Sequence, residues 1–381
     1  MVMNWWRRSD GIARPRPTRA PARGLCAALL VATLAAVTAP ALAGCGPDRP
    51  AAATPSAAPT PVTPTTPTQS PTPRPGAGIT GPLTFLLAGV DTRVSVPGWE
   101  PHSDAVLVLW LPSGLDHAYL FSLPRDLVVD IPAYPAAKFP GERTKLTHAM
   151  SYGSRVPGNS KQPDVRQGYD LLAKTVSRYT KIPHFDAGAV LTFGGLTKLV
   201  DAVGGVDLTI DQKVVSIHRR PDGKMRTRVG SNYVGPQMVY KPGRMHLVGW
   251  QALDYARQRY TAGGDYARQR HQQQLIRAII AKVLDAGLAS DPDRLDQVVR
   301  ALGDALTYVD GGQRIIDFAG ALATLPRDAI TLISLPGHGV GSGSSYRGEK
   351  LEPVGDKFLA ALRDGTVDSF LADHPELVVK K

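Results

Sequence analysis

The chain has 381 residues and a net charge of +11, with 43% hydrophobic and 20% charged residues, enough for one large domain or two smaller ones. Its two cysteines, Cys26 and Cys45, both lie near the N-terminus. The rest of the chain therefore has no disulfide framework, no cysteine-ligated metal and no thiol nucleophile. Arg7, Arg8, Arg14, Arg16, Arg19 and Arg23 face one acid, Asp10, so about half of the net charge sits before Leu25. Beyond that segment there is no run of five or six basic residues and no DNA-binding motif, which argues against nucleic acid as a partner.

Residues 1–45 read as an export segment. An arginine-rich start is followed by an apolar, uncharged stretch over 25–43. A single membrane-spanning anchor is the alternative, since about 20 apolar residues cross a bilayer. The stretch closes on Leu42-Ala43-Gly44-Cys45, which resembles a lipobox with Cys45 as the lipid-bearing residue. Either solution predicts a protein outside the cytoplasm, tethered to the outer face of the cell membrane. Residues 46–80 are rich in proline and threonine and predict a semi-extended spacer.

The pattern changes at residue 81, and 81–381 is read as one folded domain. Short apolar runs predict strands over 83–90, 105–111 and 118–123, the last two joined by a turn from Pro112 into a hairpin. Helical spacing covers 168–180, a strand 187–192, a helix 193–203 ended by Gly204-Gly205, and a strand 206–210. Residues 216–243 have little periodicity and read as a long loop or loose hairpin. Helices are expected at 249–257 and 266–284, the second capped by Asp265, then at 291–304, 314–324 and 356–362, with a late strand at 330–335. Interleaved strands and helices make the class α/β or α+β, with a central mixed sheet.

Charge gathers where these elements end. Asp91 and Arg93 follow the first strand, His102 and Asp104 precede the second, and Arg125 follows the third. Arg257, Arg259, Arg268 and Arg270 flank the break between two helices. Each residue taken singly is more simply a turn residue or a solvated charge. Together, carboxylates on one rim suit Mg²⁺, which takes one or two of them plus substrate phosphate oxygens. Arginine forks suit a pyrophosphate. The implied chemistry is phosphoryl transfer.

The same residues resemble the LytR–CpsA–Psr family in order. The motifs are Phe85-Leu86-Leu87-Ala88-Gly89-Val90-Asp91-Thr92-Arg93, Ser103-Asp104-Ala105-Val106, Ser122-Leu123-Pro124-Arg125-Asp126, Lys145-Leu146-Thr147-His148, Val203-Gly204-Gly205-Val206, Leu253-Asp254-Tyr255-Ala256-Arg257-Gln258-Arg259 and Asp265-Tyr266-Ala267-Arg268. They cover residues 82–285, and the remainder reads as an extension of the same domain. The resemblance implies an α/β/α-type fold with a hydrophobic pocket for a polyprenyl chain. It implies an Mg²⁺-dependent transferase that moves a glycopolymer from a polyprenyl-pyrophosphate carrier onto peptidoglycan or another wall acceptor, with pyrophosphatase activity beside it. Asp91 and Asp104 match the metal site. Arg93, Arg125, Arg257 and Arg268 match the catalytic set with those two aspartates, and Lys145, Arg259 and Asp265 the substrate-binding set, with Arg270 standing in for an arginine the family carries at position 271. His102 and His271 stand where the family carries arginine. That substitution keeps open an alternative, a non-catalytic envelope lipoprotein that binds polyprenyl phosphate.

Overall fold

A computed structural model describes residues 74–91 and 98–379. The export segment, Cys45 and Arg93 lie outside the described residues. Gln69–Lys381 forms one compact unit, and three hydrophobic cores lie within it.

Six strands build the central sheet: β1 (Leu83–Val90), β2 (Ser103–Leu111), β3 (Ala118–Leu123), β4 (Ala187–Thr192), β5 (Leu306–Asp310) and β6 (Ile330–Ile333). Their order is β5-β4-β1-β2-β3-β6. Neighbours β1 and β4, and β3 and β6, run parallel, and the other pairs antiparallel, so the sheet is mixed as expected. Its middle strands are apolar along most of their length because both faces are covered. Side chains alternate between those faces. Leu86, Val90, Val108 and Phe121 pack into one core with α1 (Thr147–Gly153), α2 (Val165–Thr180) and the later helix Pro353–Asp364. Phe85, Leu107, Leu109 and Leu120 face the other way. There they meet the helices α4 (Gly264–Asp285) and α6 (Ile315–Ala321). A third core joins α3 (Phe193–Ala202), the helix Gly249–Arg257 and α4. Between α4 and β5 lies α5 (Pro292–Leu302).

Several expectations shift. Ile79 falls in the expected spacer, yet it packs against the second core. The domain therefore starts before residue 81. Of the two readings of residues 216–243 the hairpin holds: they carry a two-stranded ribbon, Thr227–Val229 with Asn232–Val234, and Val239–Tyr240, which pairs with Val214–Val215 just before the segment. The helix α4 is capped by Gly263 in a left-handed conformation (φ 88°), not by Asp265, which lies in the first turn. Glycine tolerates that backbone without strain. It lets the chain turn from Arg259 straight into α4. Among the described residues no helix is long and apolar enough to cross a membrane.

Candidate active site

Because β2 runs antiparallel to both β1 and β3, the end of β1, the start of β2 and the end of β3 share one rim of the sheet. Asp91 follows β1, Asp104 is the second residue of β2, and Arg125 follows β3 behind Pro124. The ladder carries a bulge here. Gly89 faces Ala105 and Val90 faces Ser103, so Asp104 has no partner across the strand. A bulge re-aims the side chain it carries. The Asp104 carboxylate accepts from Arg125 Nη1 at 2.5 Å.

The first turn of α4 completes the rim. Arg268 Nη2 lies 2.9 Å from Asp265 Oδ1, and the Arg268 side chain is almost wholly buried. Burial lowers the Arg268 pKa, Asp265 opposes that, and nearby Arg125 adds repulsion. Burial works against Arg125 as well, but Asp104, Asp126 and Asp265 outweigh it and hold its pKa above the usual value. Two guanidiniums so close, out of water, favour an anion between them. The donors bear this out. Arg125 Nε, Arg268 Nε, Ser103 Oγ and Thr147 Oγ1 are buried without a hydrogen-bond partner. Buried polar groups are rarely left so, and a set of them on one rim points to a ligand that is hydrogen-bonded there. Arg259 lines a polar cleft of about 140 Å³ with Arg125, Asp126, Asp265, Tyr266 and Glu349.

An apolar cavity of about 410 Å³ lies behind the rim, between the second face of the sheet and the helices α3 to α6. It exists because small residues stand where bulk would fill the layer: Gly89, Ala105 and Ala189 form part of its wall. Leu87 and Leu191 remain partly exposed in mid-sheet for the same reason. Arg257 is exposed and also part of that wall, so the cavity reaches the surface beside it. Its guanidinium lies 4.5 Å from the Phe193 ring centroid.

The structure thus gathers Asp104, Arg125, Arg259, Asp265 and Arg268, and puts Asp91 at the same sheet end and Arg257 at the cavity opening. Lys145 adjoins through Asp126, at 3.4 Å. His102 sits on the Lys145 side, its ring 5.8 Å from that of His148. Burial, then His102 and Lys145, lower the His148 pKa.

Two expectations fail here. Arg270 and His271 do not join the rim. Both turn to Asp211, His271 Nε2 at 3.4 Å from one oxygen and Arg270 Nε on the other. His271 is fully buried and stacks on Tyr255 at 4.4 Å. For Arg270 the cause is helical phase: at about 100° per residue its side chain points well away from the face that carries 265 and 268. His271, three residues past Arg268, lies beside that face and is held instead by Tyr255 and Asp211. The residues that sequence reasoning passed over are Tyr266, Tyr346 and Glu349. Tyr266 and Tyr346 both donate to Glu349, at 3.2 and 2.8 Å. The last two arrive on a Gly/Ser-rich hairpin (Gly337–Val340 with Gly348–Leu351) that carries no motif. Asp254 was also passed over as a brace: its buried carboxylate accepts from Ser216, Tyr240 and Gln258, each at 2.9 Å.

Asp91 and Asp104 offer hard oxygen donors of the kind Mg²⁺ takes. Among the described residues no group of three or more His, Cys, Asp or Glu is placed to hold a metal ion by itself. A two-carboxylate site of this kind needs further oxygens from substrate and water.

Residues 58–355 match the LytR_cpsA_psr family. The chain is 28% identical over 258 residues to the polyisoprenyl-teichoic acid–peptidoglycan teichoic acid transferase TagU of Enterococcus faecalis, covering 65% of this chain and 70% of that one. It is 26% identical over 286 residues to the cell wall biosynthesis protein LcpA of Corynebacterium glutamicum, covering 68% of this chain and 51% of that one. Against TagV of Bacillus subtilis, 26% identical over 215 residues, it covers 56% of this chain and 47% of the relative. The chain thus spans about half the length of the last two. The crystal structure of B. subtilis TagV superposes with a TM-score of 0.53 at 19% identity, over 75% of this chain and 97% of that one. A Streptococcus agalactiae protein, gbs0355, gives 0.56 at 22% identity, over 76% and 87%. These structures establish the shared fold.

Proposed function

The chain belongs to the LytR_cpsA_psr family, and from that premise we propose that it is an extracytoplasmic phosphotransferase. It takes a glycopolymer from a polyprenyl-pyrophosphate carrier and attaches it to peptidoglycan or another wall acceptor. The observation that carries this reading is the juxtaposition of an apolar cavity with a rim of arginines whose buried N–H groups lack partners. A long apolar chain with a doubly charged head needs both.

The carrier tail occupies the cavity and its pyrophosphate lies against Arg125, Arg268 and Arg259. Asp91 and Asp104 would hold Mg²⁺, which supplies charge neutralisation at the phosphate oxygens. An acceptor hydroxyl oxygen bonds to the phosphorus that bears the glycopolymer. The bridging P–O bond breaks, and polyprenyl phosphate leaves. The hydroxyl proton passes to a rim carboxylate. Arg125 and Arg268 stabilise charge that grows on the phosphoryl oxygens as the bridge breaks, in a partly dry site where each such contact counts for more than in water. The chain is held to the outer face of the membrane by the residue 1–45 segment, with lipidation at Cys45.

The test is release of polyprenyl phosphate from a polyprenyl-pyrophosphate glycan by residues 69–381, with and without Mg²⁺. Release that needs the ion and is lost in Asp104→Ala supports the transferase. Binding of the carrier with no turnover at any pH overturns it in favour of a lipid-phosphate-binding protein.

A further inference from the structure

Six large apolar side chains stand exposed among the described residues, and four of them, Met225, Val229, Val234 and Val248, fall in one short segment. Three of these belong to the ribbon Thr227–Val229/Asn232–Val234 and its approach. Thr227 faces Val234, Arg228 faces Tyr233, and Val229 faces Asn232. Alternation therefore puts Val229 and Val234 on one face and Arg228 and Tyr233 on the other. Val229 is 58% exposed, Met225 54% and Val234 45%. The inner face is the anchored one. Tyr233 packs edge-on against His218 at 5.0 Å. Arg226 donates to the carbonyls of Ile217, Tyr233 and Gly235 at 2.7, 2.8 and 3.2 Å. The ribbon is thus pinned with its apolar face outward, the reverse of a solvated two-stranded element.

The segment is also strongly basic. From Lys213 to Val248 there are eight Lys and Arg side chains and one acid, Asp222. Arg226 is used internally, but Lys224, Arg228, Lys241 and Arg244 are exposed. Its position is fixed by the site helix. Ile217 N donates to Gln258 Oε1 at 3.2 Å, one residue past Arg257. His218 lies close enough to Arg257 to feel its charge, and Arg257 marks where the apolar cavity opens.

We propose that the 225–234 ribbon docks on an anionic bilayer, with Met225, Val229 and Val234 at the headgroup–acyl boundary and Lys224, Lys241 and Arg244 on lipid phosphates. The inference rests on the transferase reading in one respect, that the carrier lies in the membrane and must reach the cavity from it. Basic residues around an apolar face match the chemistry of an anionic lipid surface. A soluble anionic polymer would engage the charges and leave three apolar side chains in water.

The experiment uses residues 69–381, the unit that holds all three cores, so that the N-terminal segment does not mask the result. Partition onto vesicles of phosphatidylcholine with and without phosphatidylglycerol is measured by co-sedimentation. Binding is expected to need the anionic lipid, to weaken with salt, and to fall about tenfold or more in the double variant Val229→Asp/Val234→Asp. Turnover of detergent-dispersed carrier is expected to be unchanged in that variant. A second variant, Val234→Trp, reads insertion directly: the emission it adds over wild type should shift blue and be quenched by brominated lipid. Equal partition of wild type and double variant, or an unshifted emission from Val234→Trp on anionic vesicles, overturns the proposal. So does capture by a soluble anionic glycan with none by vesicles. Docking intact with no turnover in detergent would instead sink the transferase reading and leave the docking surface standing.

Discussion

Two clusters on the helix α4 have the same ingredients and opposite characters. Asp265 and Arg268 join Asp104 and Arg125 at the sheet rim. Arg270 and His271, two and three residues on, join Asp211. At the rim, guanidinium nitrogens are buried without protein partners beside a polar cleft. Around Asp211 one carboxylate oxygen takes Arg270 and the other lies 3.4 Å from His271, whose buried ring stacks on a tyrosine with neither nitrogen hydrogen-bonded among the described residues. The difference teaches that an Asp/Arg pairing signals a ligand when guanidinium N–H groups are left over beside a polar cleft. Where the protein satisfies the charges itself, the pairing holds elements together.

The largest expected effect lies at the rim. Arg125→Ala removes the cation on Asp104 and a donor to the phosphoryl group. Turnover should fall by about 10²–10³-fold, measured as polyprenyl phosphate release. Arg125→Lys should recover little of it, since an ammonium lacks the fork that reaches Asp104 and an anion together. A drop of less than tenfold in Arg125→Ala would erase the distinction between the two clusters.

Filling the cavity tests the apolar half of the same site. Ala189→Phe puts a ring into the wall beside Leu191. Displacing two or three carrier methylenes, at about 0.8 kcal/mol each, should weaken carrier binding by about 10–50-fold. The far-UV circular dichroism should be unchanged, because the ring enters empty space. Undiminished binding of a long-chain carrier would place the tail elsewhere.

Much of this was legible in the sequence, for physical reasons that differ by element. The runs that became β1, β3 and β4 were recognisable because strands buried on both faces are continuously apolar and end abruptly at polar residues. The rim residues Asp91, Asp104 and Arg125 could be placed together because strand ends in an antiparallel run share an edge. The bulge at Asp104 could not be read, since it depends on register and not on composition. Nor could the cavity, which is an absence created by Gly89, Ala105 and Ala189 in strands that otherwise look well filled. Arg270 was misplaced because adjacency to position 271 was read as adjacency in space, against the turn of the helix; His271 was placed by the family motif, which does not show that Tyr255 and Asp211 hold it. Tyr346 and Glu349 come from far along the chain on a hairpin with no periodic signal.

The Asp211 cluster should answer in stability, not in turnover. Burial would raise the Asp211 pKa, but His271 and Arg270 hold it down to about 2, below its ordinary 3.8. A carboxylate depressed on folding stabilises the native state above its unfolded pKa, and that contribution is lost as pH falls through the folded value. Asp211 is partly exposed, so screening reduces the contribution to about 1–2 kcal/mol. Asp211→Asn should therefore lower Tm at pH 7, with the gap to wild type closing between about pH 4 and pH 2. Carrier turnover at neutral pH should stay within about threefold. A gap that does not close in acid would mean that packing, not charge, carries the cluster.

The two histidines that replace expected arginines sharpen the contrast in the smallest terms. His102 is partly exposed; it meets the Glu100 carbonyl at 3.0 Å, the edge of His148 and the Trp99 ring at 6.4 Å. His102→Arg has room to extend toward solvent. The fixed charge it adds near Lys145 should tighten headgroup binding no more than about threefold, because an exposed charge in high dielectric contributes little. His271→Arg places a permanent charge where the side chain is fully buried against Tyr255, with Asp211 already engaged by Arg270. It should cost about 3 kcal/mol or more by denaturant titration, with no gain in carrier affinity. If His271→Arg were instead stable and bound the carrier more tightly, its guanidinium would have to reach the rim, and the burial against Tyr255 that keeps position 271 in the Asp211 cluster would be wrong.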